Sequence, residues 1–90
     1  MTYLVSYDLR KVGKDYSTLH AALRQFAYAR PLESVWLVKT SLSGDELRTH
    51  LLGSGGLDAN DRLLITRMTT SWWSENLDDV VLRWMHNNVS

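Results

Sequence analysis

An aspartate closes the first apolar run of the chain. Tyr3-Leu4-Val5-Ser6-Tyr7 leads into Asp8, and Arg10, Lys11 and Lys14 follow within six residues. A carboxylate at a strand end rides on rigid backbone at the edge of solvent, a position from which a side chain can act on a ligand. Mg²⁺ typically takes one or two protein carboxylates and fills its other sites with water and phosphate oxygens. Asp8 is therefore the candidate metal ligand and catalytic residue. Arg10, Lys11 and Lys14 are the candidates for contacting nucleic-acid phosphates. The competing role for Asp8 is a turn cap or an ion pair with a neighbouring cation, both ordinary for aspartate.

Other chemistry is poorly supported. With no cysteine, disulfides, thiolate zinc sites and thiol nucleophiles are excluded. His20, His50 and His86 show neither H-x-H nor H-E-x-x-H spacing. His20 falls beside the apolar stripe of its helix and reads as solvated, and His86 suits the C-terminal end of a helix as a cation. Gly53-Ser54-Gly55-Gly56 lacks the lysine and the preceding strand of a phosphate loop, so it reads as a flexible connector. Ser6, Ser34 and Ser41 have no G-x-S-x-G context. Trp72 and Trp73 are adjacent, so an extended backbone points them to opposite faces. One of the two is expected to cover the sheet and the other to meet a partner chain, and both are candidate interface residues. Stacking on a base is the other use open to them.

The elements that must position these residues follow from patterning. Residues 3–7 form a strand. Asp15 or Ser17 can cap a helix whose apolar positions Leu19, Ala22, Leu23 and Phe26 repeat at i, i+3, i+4 and i+7. Pro31 stops any continuation, and Leu32 to Thr40 reads as extended, with residues 32–41 forming either one long strand or two. Ser43 and Glu46 make an S-x-x-E capping box, flanked by Leu42 and Leu47 as a hydrophobic staple, for a short helix ending near Gly53. Asp61-Arg62 opens a strand through Met68. Leu77, Val80, Val81 and Trp84 then place a last helix that ends near Asn87. The order is β-α-β(β)-α-β-α, one sheet with helices packed on it.

Bulk composition bounds the class. Ninety residues suit one domain spanning 1–90, and 44% apolar with 22% charged residues suits a folded globule rather than a disordered chain. No apolar run reaches the roughly 20 residues of a membrane helix, and the N-terminus lacks the basic start of a signal peptide. A cytoplasmic protein with no membrane partner is expected. Ten basic and ten acidic residues give zero net charge, but the charge is divided unevenly. Residues 1–39 carry six cations against three acids, a net +3, and residues 40–90 carry four against seven, a net −3. A basic front half keeps a phosphate-facing patch open. A small sheet also leaves edges that need covering, which a homodimer would do.

The run Tyr3 to Leu9, then an amphipathic helix, then Glu33-Ser34-Val35-Trp36, resembles the Cas2 group of small CRISPR-associated proteins and their VapD-like relatives. The likeness covers about residues 3–68 and rests on short motifs. It implies an α+β fold, a ferredoxin-like βαββαβ sandwich, here with an additional C-terminal helix. It also implies a homodimer that cleaves or holds nucleic acid. Of the site residues only Asp8 carries over, as the carboxylate that would share a Mg²⁺ ion with its counterpart across a dimer axis. The Trp-rich C-terminal segment departs from the family pattern. The sequence thus favours a Cas2-like homodimer acting on nucleic acid as a Mg²⁺-dependent nuclease. The alternative is a non-catalytic interaction or scaffold module that uses its tryptophans.

Overall fold

The computed structural model describes residues 1–9 and 16–89. Four strands, β1 (Thr2–Asp8), β2 (Ala27–Leu32), β3 (Val35–Lys39) and β4 (Arg62–Arg67), alternate with three helices, α1 (Ser17–Arg24), α2 (Gly44–Gly53) and α3 (Asp79–Asn88). The chain order is β1-α1-β2-β3-α2-β4-α3, and the sheet order is β2-β3-β1-β4 with every neighbouring pair antiparallel. The fold is α+β. Each helical crossover passes over one strand, β3 lying between β1 and β2, and β1 between β3 and β4. Among the described residues no helix is long and apolar enough to cross a membrane.

Strand alternation sorts the core into two faces. Tyr3, Val5 and Tyr7 of β1 join Trp36 and Val38 of β3 on one face, under Leu19, Ala22 and Leu23 of α1 and Leu47 and Leu51 of α2. On the other face Ala29 and Leu37 pack beneath Met85 and Val89, with Leu4, Trp72, Val81 and Trp84 half-buried around them. Helices thus cover both faces. The second layer is narrower, and Leu64 of β4 stays 64% exposed beyond it. Thr2 ties the layers together, its Oγ1 donating to the Asn88 carbonyl at 2.6 Å.

Local signals explain most boundaries. Ser43 Oγ accepts from the Glu46 amide at 3.1 Å while Glu46 Oε1 accepts from the Ser43 amide at 2.9 Å, completing the expected capping box. Gly56 belongs to a packed segment rather than a loose connector, because a Cβ there would meet the Leu19 backbone nitrogen at 2.5 Å. At α1 the sequence expectation fails on its cap: position N-cap is Tyr16, whose hydroxyl donates to Asp61 Oδ1 at 2.9 Å, while Asp15 lies outside the described residues. The last helix begins at Asp79, so Leu77 precedes it and Val80 is 73% exposed. The stripe that packs is Val81, Trp84 and Met85 instead.

The second strand differs most from expectation. Extended structure begins at Ala27, before Pro31, and turns back at Glu33-Ser34, so two strands meet at a tight bend. Pro31 is tolerated because β2 is an edge strand and the ladder is irregular there. Ala29 pairs with Leu37 and Leu32 with Val35, which leaves Arg30 and Pro31 together opposite Trp36. Such a bulge re-aims a side chain. Here that side chain is Arg30.

Candidate functional site

The end of β1 and the β2–β3 bend frame an open cleft of about 300 Å³, lined by Tyr7, Asp8, Leu9, His20, Arg30, Glu33 and Ser34. Strand β1 delivers two consecutive side chains here with opposite fates. Tyr7 points into the core and is buried, while Asp8 is exposed at the rim and pairs in register with Arg62 of β4. Asp8 is thus the exposed carboxylate on rigid backbone that the sequence predicts.

Beneath the rim lies a polar network centred on the Tyr7 hydroxyl. Trp36 Nε1, itself buried, donates to it at 3.0 Å. The Glu33 carbonyl lies 3.2 Å away as acceptor, and His20 Nε2 is 3.1 Å away. A phenol has one proton and two lone pairs. All three partners are satisfied together when the hydroxyl donates to Glu33 and accepts from both Trp36 Nε1–H and His20 Nε2–H. Turning the hydroxyl proton toward His20 instead requires the tautomer protonated at Nδ1, so the phenol and the imidazole tautomer are linked. The His20 ring also stacks on Trp36, with centroids 5.6 Å apart and planes 28° from parallel.

Two guanidinium groups complete the surroundings of Trp36. Arg30 Cζ lies 4.9 Å from its ring centroid and Arg24 Cζ 5.7 Å. Tyr28 packs at 5.1 Å. Covered in this way, Trp36 has 0% exposure. Arg30 is fixed further, its Nε and Nη2 donating to the Glu33 carbonyl at 2.9 and 2.6 Å. A larger groove of about 590 Å³ lies between α2 and β4, but the Asp45–Arg48 ion pair on its wall is already satisfied at 2.9 Å.

Asp8 stands exposed at the end of β1. Arg10, Lys11 and Lys14 lie outside the described residues. Trp72 is half-buried in the core under α3, 5.4 Å from the His86 ring, whereas Trp73 is 90% exposed. The pair therefore divides between core and surface. His50 is exposed, its ring edge against Phe26 at 5.4 Å. Among the described residues no three His, Asp or Glu side chains gather as metal ligands.

Tyr7, His20, Arg24, Arg30 and Trp36 were not singled out from sequence as a site. His20, expected to be solvated, is half-buried against Tyr7 and Trp36. A signal was present in the spacing. His20 and Arg24 stand at i and i+4 on one helix face, and Tyr28 and Arg30 at i and i+2 on one strand face. Two polar pairs on successive elements, with a tryptophan on the next strand, mark a cluster once the crossover is known. No protein-family model matches the chain, and no solved structure matches it.

Proposed function

We propose that the chain is a Cas2-like homodimer that acts on nucleic acid, with Asp8 as the carboxylate of a Mg²⁺-dependent nuclease centre. The observation that carries this reading is the exposed Asp8 at the end of β1, on the rim of a cleft that also holds His20 and Arg30. A phosphodiester is the substrate class such a mixture of carboxylate, imidazole and guanidinium suits. Fold supports the reading as well. The sheet read from its other edge is β4-β1-β3-β2, with both crossovers split by a strand, which favours a ferredoxin-like assignment.

The donor set suits Mg²⁺ held loosely: Asp8 would give one exposed carboxylate, with Glu33 lining the same cleft and water and phosphate oxygens completing the shell. Two chains would supply two copies of Asp8. When bound, the ion would neutralise charge on the phosphate and lower the pKa of its water. Asp8 would hold and orient the ion, while the Tyr7 hydroxyl, 3.1 Å from His20 Nε2, fixes the imidazole in the wall of the cleft. Incubation of purified protein with RNA and with DNA, in Mg²⁺ or in EDTA, tests the assignment. Cleavage is expected only with Mg²⁺, and activity that survives Asp8→Ala would sink it.

A second reading rests on Trp73. A tryptophan 90% exposed is a natural interface anchor, and a non-catalytic scaffold built on that surface would show a partner-dependent mass without cleavage.

A further inference from the structure

Two arginines from successive elements converge on one tryptophan. Arg24 in the last turn of α1 and Arg30 in the β2 bulge stand 5.7 and 4.9 Å from the same ring centroid. Trp36 is fully buried, so its ring is a fixed platform for both. Arg30 is locked by its two bonds to the Glu33 carbonyl. Those bonds use Nε–H and one N–H of Nη2. The opposite edge keeps three N–H groups, in the fork geometry that matches two oxygens of a phosphate.

Among the described residues no ion pair offsets the charge on this platform, neither Arg24 nor Arg30 having one. Like charges gathered at one ring repel, and the ordinary remedy would be a carboxylate between them. Glu33 instead offers Arg30 its backbone carbonyl. A phosphate bound from outside the chain would offset charge that the nearby Asp8 and Glu33, which line the same cleft as Arg30, do not take up as a described ion pair.

We infer that Arg24 and Arg30, mounted on Trp36, are a phosphate-binding pair that holds the backbone of a nucleic-acid strand beside the Asp8 cleft. Arg30 belongs to both, since it also lines that cleft. The inference rests on the nucleic-acid reading above and adds its own contact residues. Because phosphates are shared by every sequence, the pair supplies affinity without base preference.

Fluorescence anisotropy with a short labelled single-stranded RNA, and its DNA counterpart, tests this in EDTA over a range of salt. Arg24→Gln and Arg30→Gln are each expected to weaken binding about ten-fold. Each should also reduce the steepness of the logarithmic salt dependence by about 0.7. Arg30→Lys keeps the charge but not the fork, so it should restore the salt dependence and only part of the affinity. Arg83→Gln, on α3 across the sheet, should bind like the parent. Should Arg30→Gln fail to fold by circular dichroism, the exposed Arg24→Gln carries the same comparison. A folded double variant that binds with parental affinity and salt dependence overturns the pair while leaving the nuclease reading intact. Strands that are bound through these arginines but never cut overturn the nuclease reading and sustain the pair. Absence of binding by the parent overturns both.

Discussion

At the scale of single residues, the Tyr7 hydroxyl is the junction on which the site depends. It accepts the buried Trp36 Nε1–H and meets His20 and the Glu33 carbonyl. Tyr7→Phe keeps the ring but leaves a buried indole donor without its acceptor. Such an orphaned group costs about 1–3 kcal/mol, a loss that urea denaturation should register. An unchanged midpoint would show that the junction is dispensable. Asp8 was legible in the sequence because the strand stops there, and the step from buried Tyr7 to exposed Asp8 follows from alternation alone. The network below it was not legible. Tyr7, His20 and Trp36 lie on three elements, and only the packing of α1 across β1 and β3 brings them together.

Among the elements, α2 was the most legible because its start is written in four residues. Ser43→Ala removes the acceptor for the Glu46 amide and is expected to cost about 1 kcal/mol. In a chain of this size that corresponds to roughly 4–8 °C in Tm, readable by thermal denaturation. The loop after α2 makes a sharper contrast. Gly53→Ala meets open space at the helix end and should be neutral or slightly stabilising. Gly56→Ala drives a Cβ to 2.5 Å from the Leu19 nitrogen and should cost at least about 1–3 kcal/mol. Equal stability of these two variants would refute the close approach. Strand β2 was the least legible element. Pro31 reads as a stop for a helix, and nothing local tells that it lies at a bulge of an edge strand. That bulge is what aims Arg30 at Trp36.

For the whole molecule, unequal charge and unequal layers matter more than the zero net charge. The basic front half contains Arg24 and Arg30, whose guanidinium groups share the Trp36 platform. The opposite face is only partly covered by α3, with Leu64 64% exposed, and Trp73, next in sequence to the half-buried Trp72, is 90% exposed. Exposed tryptophan contributes little to the stability of one chain, so Trp73→Ala should leave the unfolding midpoint within about 0.5 kcal/mol of the parent. If Trp73 anchors a second copy, light scattering should show the variant with reduced mass. Parental mass in that variant would remove Trp73 from the interface. The α+β class and element order were legible from periodicity, while the state of the sheet edges was not, since an edge looks alike from sequence whether it is covered or bare.

Whether Asp8 works in the reaction is read from the single-turnover cleavage rates of parent and Asp8→Asn on the same oligonucleotide in Mg²⁺. Asparagine preserves shape at an exposed strand end but removes the charge, and circular dichroism checks that the variant keeps the parent fold. A fall of about 100-fold or more is expected if the carboxylate works in the reaction. An Asp8→Asn rate equal to the parent's would show that the Asp8 carboxylate takes no part in cleavage.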